Sequence, residues 1–181
     1  MQGNAQVTGT VSNVLFKDNL KQIIKLNTLT DAVKVIINSP LDLVELNDHI
    51  MVSGALQMHT KYGQQLIASE ISHCAVTQEL VRGFIMSSSG VGEKTTDKLL
   101  MRFGDDIIQL LENKDVLSLS AHKDITKAAT EVICRNWHRQ QGKVQLISFM
   151  NEVLSEAPPS LRSKLITIAK RAFQYYREDT E

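Results

Sequence analysis

The residues best placed to do chemistry lie between 87 and 103, SSSGVGEKTTDKLLMRF: a small-residue turn ending Gly90-Val91-Gly92, then a helical pattern. Residues 78–86 also read as helical, so the segment is a helix, a tight glycine turn and a second helix. The first N–H groups of that second helix have no partner within it and sit at the positive end of its dipole. A phosphate fits there. Glycine lets a ligand approach the backbone closely and permits positive φ. The candidate phosphate-binding residues are Ser89, Gly90, Val91, Gly92, Lys94, Thr95, Thr96 and Lys98, with Ser87 and Ser88 as further hydroxyl donors or as residues that cap the turn. A turn that joins two helices and binds nothing fits the spacing equally well.

Other chemistries fit less well. A nucleotide-binding P-loop needs Gly, four residues, then Gly-Lys-Ser/Thr after a strand, and here Glu93 separates Gly92 from Lys94. No Gly-x-Ser-x-Gly element occurs, and the carboxylates are scattered. The five histidines, at 49, 59, 73, 122 and 138, stand at metal-ligand spacing neither with one another nor with cysteine. This chain is therefore expected to be non-catalytic and to carry no cofactor or metal of its own.

Five strands are expected in the first third. Residues 6–16 and 19–27 flank a Lys17-Asp18-Asn19 turn, and 32–37 (AVKVII) is short and β-branched. Pro40 and Asn47-Asp48 punctuate a connector before residues 49–56, where Gly54 predicts a bulge or bend. Residues 64–76 supply a fifth strand after the turn Thr60-Lys61-Tyr62-Gly63. Five short strands with glycines at bends predict a small closed barrel of the OB type, with an open meander as the alternative. Such a barrel can hold a single strand of nucleic acid between aromatic rings and cations. Its candidates are Lys61 and Tyr62, then Phe16 and Lys17; Tyr62 could equally plug one end of the barrel.

From residue 78 the period becomes helical. Leu99, Leu100 and Phe103 share one side of the helix after the glycine turn, and Lys94, Asp97, Lys98 and Arg102 face water. Gly104 ends that helix, and residues 107–112 form another. Residues 124–138 and 144–154 read as two helices parted by a soft boundary at Gln140-Gln141-Gly142. After Ala157-Pro158-Pro159, Ser160 is expected to cap a last helix that carries Leu161, Leu165, Ile168, Phe173 and Tyr176. The fold class is thus α+β and multidomain: an OB-like β-barrel over 1–76, an all-α helix-hairpin-helix region over 77–140 and a short C-terminal helical segment over 141–181.

Lys plus Arg and Asp plus Glu both number 20, so no global field draws the protein to nucleic acid or an anionic membrane, and any such contact is local. Cys74 and Cys134, far apart in apolar patterns, read as buried free thiols of a reducing compartment. No apolar run approaches the ~18 residues of a membrane span, and no signal peptide opens the chain. A cytoplasmic protein without membrane contact is expected.

Four stretches together resemble a known family: Tyr62-Gly63-Gln64-Gln65-Leu66, Leu80-Val81-Arg82-Gly83-Phe84-Ile85, Gly90-Val91-Gly92 and Arg102-Phe103-Gly104-Asp105. In order and spacing they look like the N-terminal region of long RecD-like bacterial DNA helicases over roughly residues 7–137, most specifically over 61–111. The tail from 144 to 176 is similar only loosely. The resemblance implies an OB-like domain and tandem helix-hairpin-helix elements ahead of two RecA-like motor domains. It also implies 5′-to-3′ DNA unwinding coupled to ATP hydrolysis, with ATP and Mg held by those motor domains, in DNA repair or recombination. The motor is not in these residues, so the chain corresponds to the N-terminal module alone, partnering DNA (single-stranded or forked) and helicase motor domains in cis.

The sequence departs from that pattern at the second hairpin, where residues 118–125 read SLSAHKDI without a glycine. Two other readings stay open. One is a Holliday-junction-binding protein resembling RuvA, which also places an OB barrel before paired hairpins. The other is a protein-interaction scaffold with negligible DNA binding, which suits the neutral charge and the apolar stripes of the last two helices.

Overall fold

The computed structural model describes residues 4–38, 44–121 and 125–178. Five strands, β1 (Asn4–Lys17), β2 (Gln22–Asn27), β3 (Ala32–Ile37), β4 (His49–His59) and β5 (Gly63–His73), close into a barrel in the order β1-β2-β3-β5-β4. Closure depends on two devices. β1 is long enough to serve two neighbours: Asn4 to Thr10 pairs with β4, and Thr10 to Lys17 pairs with β2 after two register shifts. β3 then pairs with β5 in parallel, which no local turn can arrange. This is an OB-like barrel, and the open meander is excluded.

Local chemistry sets the strand ends. Asp18 Oδ1 accepts from the N–H groups of Leu20 and Lys21 at 2.7 Å each, so the first turn takes residues 18–21 and β2 starts at Gln22, later than expected. The register of β4 against β5 shifts at Ser53/Gly54, as the glycine predicts. A Cβ at Gly54 would lie 2.0 Å from the Ile67 carbonyl oxygen. Inside the barrel Val11, Ile24, Leu26, Val35, Ile50, Val52 and Leu66 are fully buried. The connector at Pro40 lies outside the described residues.

The helices are α1 (Val81–Met86), α2 (Glu93–Phe103), α3 (Ile107–Glu112), α4 (Val116–Ser120), α5 (Lys127–Val153) and α6 (Pro159–Glu178). They enclose a second core of Val81, Phe84, Ile85, Leu99, Ile107, Leu111, Leu119, Ile133 and Trp137. At its centre the rings of Phe84 and Trp137 meet edge to face with centroids 5.5 Å apart, tying α1 to α5.

Several helix limits differ from expectation: α1 starts at Val81 and not at 78, α5 at Lys127 and not at 124, and three further differences carry structural meaning. The boundary at Gln140-Gln141-Gly142 is interior to α5, which runs unbroken for 27 residues, so the expected limit at residue 140 falls inside one helix. Gly142 serves close packing: a Cβ there would stand 2.9 Å from the Phe173 ring of α6. Ser160 is not a cap, because the last helix already starts at Pro159, whose fixed φ and missing N–H suit a first helical position. Ser118 to Ser120, expected in a turn, are helical. Asp115 caps α4 by accepting from the N–H of Ser118 at 3.0 Å and its hydroxyl at 2.6 Å. The rest of that expected turn, at residues 122–124, lies outside the described residues, as does the Tyr176 side chain. Among the described residues no helix is long and apolar enough to cross a membrane.

Candidate nucleic-acid interface

The turn between α1 and α2, Ser87-Ser88-Ser89-Gly90-Val91-Gly92, is held from two sides. The N–H of Val91 donates to the Ser88 carbonyl at 3.1 Å, and Gly90 takes φ +75°, a conformation that side chains resist. The Ser87 hydroxyl donates to the Gly83 carbonyl at 2.8 Å and stands 3.5 Å from Asn27 Nδ2 at the end of β2. Asn136 on α5 donates to the buried Ser88 hydroxyl at 3.0 Å. Ser87 and Ser88 therefore fasten the turn to the barrel and to α5, and their hydroxyls are committed to that.

Gly92 is the N-cap of α2, with φ −95° and ψ 172°, and no side chain caps the helix. That backbone suits any residue, and a Cβ at Gly92 would meet nothing within 4 Å. Neither packing nor strain explains the glycine. Among the described residues no acceptor within the chain takes the N–H groups of Gly92, Glu93, Lys94 or Thr95. Ser89, Gly90, Gly92 and Lys94 are exposed around this open helix end, Thr95 is half-buried, and Lys98 lies one turn along α2 in solvent. Thr96 leaves the candidate set: it is fully buried and its hydroxyl donates to the Gly92 carbonyl at 3.1 Å. Val91 is buried too, contributing its side chain to the core and only its backbone to the turn.

One residue that sequence reasoning left without a role completes this surface. Arg82 on α1 places one nitrogen 3.0 Å from Glu93 Oε1 and 3.0 Å from Asp97 Oδ1, while the other donates to Met86 Sδ at 3.0 Å. Glu93, the residue that spoils a P-loop, is thereby neutralised. The turn is also entered from a helix, whereas a P-loop leaves a strand. Nothing local in the sequence pairs Arg82 with acids 11 and 15 residues away; the reversal of direction at Gly90 does.

The barrel candidates form a separate group. Tyr62 is 53% exposed in the turn between β4 and β5, so it does not plug the barrel. Its ring lies against the His59 ring at 4.8 Å between centroids, and the ammonium groups of Lys34 and Lys61 stand 4.6 and 5.3 Å from the ring centre. His59 Nδ1 accepts from the N–H groups of Lys61 and Tyr62 at 3.1 and 3.3 Å, which fixes the turn. Lys34 arrives through the parallel β3–β5 pairing, which sets it beside Gln65 just past this turn. Phe16 is 46% exposed at the far end of β1, also outside the core.

A polar network holds the barrel to the helices and so positions both groups. Gln140 on α5, 1% exposed, accepts from the His49 N–H at 3.0 Å and donates to the carbonyls of His49 and Cys74 at 2.8 and 2.9 Å. Lys143 donates to Asp48 Oδ1 at 2.6 Å and Glu45 Oε2 at 2.7 Å, and Arg139 donates to the Leu46 carbonyl. His73 Nε2 lies 3.2 Å from Asp48 Oδ2. Burial alone would raise the Asp48 pKa, but the His73 hydrogen bond and the Lys143 and His73 charges outweigh it and hold the carboxyl well below the usual carboxylate range. Burial lowers the pKa of His49 to about 4, so it is neutral at pH 7, with Nδ1 2.8 Å from the Thr10 hydroxyl. His73 is thus committed to Asp48 and not to its neighbour Cys74. Both cysteines are free; Cys134 is buried, its thiol pushed up to about 11 by that burial, and Cys74 is half-buried.

No family model and no curated protein matches this sequence. Among solved structures, the asparaginyl-tRNA synthetase of Pyrococcus horikoshii is similar at 12% identity with a TM-score of 0.36, over 86% of this chain and 32% of that one. The same enzyme complexed with asparaginyl-adenylate is similar at 14% identity with a TM-score of 0.35, over 86% and 31%. The chain spans about a third of the length of these two structures. A likeness this low bears on neither fold nor function.

Proposed function

We propose that this chain is a non-catalytic DNA-binding and DNA-guiding module that takes single-stranded or forked DNA by its phosphate backbone. The observation that carries the reading is Gly92: a glycine with open space around it and no positive φ, set at the N-cap of α2 where a side chain would obstruct a phosphate. Ser89, Gly90, Lys94, Thr95 and Lys98 surround that point, and α1, the turn and α2 act as a helix-hairpin-helix element. On the barrel, Tyr62 offers a stacking face to a base, with Lys34 and Lys61 for its phosphates. Following the resemblance, the module belongs ahead of RecD-like helicase motor domains, which supply ATP hydrolysis with Mg in repair or recombination. A barrel unit over 1–76 followed by a helical unit, and a cytoplasmic setting, belong to the same reading.

The test is a titration of single-stranded, forked and four-way-junction DNA at low salt against the wild type and Gly92→Val. The expected result is binding to single-stranded or forked DNA that Gly92→Val abolishes while the chain stays folded, with only the small drop in melting temperature that a poorer N-cap brings. Equal affinity in the variant would sink the phosphate reading, and preference for the four-way junction would favour a RuvA-like role. A second reading, a protein-interaction scaffold, is favoured by one observation: Phe149, Val153 and Ile168 of α5 and α6 are 60–61% exposed. No DNA binding at any salt would make it the better one.

A further inference from the structure

The charges of α2 are sorted by side, and the sorting reaches beyond the hairpin. Glu93 and Asp97, four residues apart, form one stripe, and Arg82 draws both carboxylates toward α1. Lys94, Lys98 and Arg102 form the adjoining stripe at i, i+4 and i+8, and all three are exposed. Successive members stand about 6 Å apart along the axis, the scale of neighbouring phosphates on one strand. Beside them Met101 is 89% exposed, an apolar side chain left in water on an otherwise charged face. Lys98, Met101 and Arg102 line an open depression of about 340 Å³ with Ile125. The exposed acids Asp105 and Asp106, just past Gly104, bound the stripe at its far end.

We propose that this face of α2 is a strand-tracking surface: a single nucleic-acid strand leaves the hairpin and runs along Lys94, Lys98 and Arg102, with Met101 against its sugars or bases. The surface deepens the phosphate reading of the hairpin and rests on it. Arg102 and Met101 join the interface, and Arg82 is a positioning residue that keeps the two carboxylates off the phosphate path.

The experiment measures affinity for a fluorescent oligothymidylate across a salt series, for the wild type, Gly92→Val, Lys98→Gln/Arg102→Gln and the control Lys164→Gln. Lys164 is an exposed lysine on α6. In the double variant the slope of log affinity against log salt should fall by about 0.7 for each phosphate no longer neutralised, with the control slope unchanged. An unchanged slope in the double variant, while Gly92→Val abolishes binding, overturns the tracking surface and leaves the hairpin standing. A reduced slope with Gly92→Val binding as well as wild type overturns the proposal as stated, because the strand then does not enter through the hairpin. A wild type that binds no strand overturns both.

Discussion

Where α5 meets the barrel, charged and polar side chains are buried and bonded to one another. Where α1 meets α2, charged side chains lie in water and the amides at the helix start have no partner among the described residues. Asp48 is fully buried and Lys143 and Gln140 are 5% and 1% exposed, whereas the side chains of Arg82 and Glu93 are 44% and 69% exposed. Both junctions use ion pairs, but for different ends. A buried pair is costly to form and costlier to break, so it fixes the angle between barrel and helices. An exposed pair adds little stability, so the Arg82 bridges are better understood as arranging charge for something in solution. The contrast teaches that a polar group's burial and partners, more than its type, separate architecture from interface.

The first way to break this comparison is to remove one partner of the buried pair. Lys143→Met should cost about 3–5 kcal/mol of unfolding free energy by denaturant titration, since it takes the nearest cation from the buried Asp48 carboxylate and leaves it His73 and the more distant Arg139. Adding Asp48→Asn should recover part of that loss. If Lys143→Met proves as mild as a surface substitution, the junction does not hold the molecule together.

Acid should attack the same junction next. His49 has a folded pKa of about 4 against an ordinary 6.5, so the unfolded chain takes up its proton first. Its contribution is therefore intact above about pH 6.5 and is lost as pH falls toward 4, by roughly 3 kcal/mol. The depressed Asp48 carboxyl acts in the same direction lower down: its contribution is full above the ordinary carboxylate pKa of about 4 and declines as pH falls below that. Denaturation midpoints measured from pH 7 down to 4 should decline steadily; a level profile would contradict a neutral, buried His49.

The smallest expected effect is at the exposed junction. Arg82→Gln should change stability by no more than about 1 kcal/mol. Paired with the Lys143→Met result, it sharpens the distinction; a destabilisation comparable to that of Lys143→Met would erase it.

Much of the fold was legible along the chain. The β-branched runs and the turns at Asp18 and Tyr62 place the strands within a few residues, because strand periodicity and turn chemistry are local. The glycine turn and α2 are legible for the same reason. Gln140-Gln141-Gly142 misleads, because two polar residues and a glycine look like a break when only local propensity is read. In the folded chain Gln140 is spent on the barrel's backbone and Gly142 on Phe173. Thr96 misleads likewise: a threonine near a glycine turn looks like a ligand until its hydroxyl is found on the Gly92 carbonyl.

The sequence by itself determined where the strands lie to within a few residues and that Gly90 turns the chain between two helices. Tertiary structure alone decided that Lys34 meets Tyr62, that Arg82 gathers Glu93 and Asp97, and that α5 spans the expected boundary to grip the barrel. The physical reason is range. Backbone propensity and helix-end chemistry act over a few neighbouring residues, but a parallel strand pairing, a chain reversal or a buried ion pair joins residues 11 to 98 positions apart, and only the closed fold brings them within 3 Å.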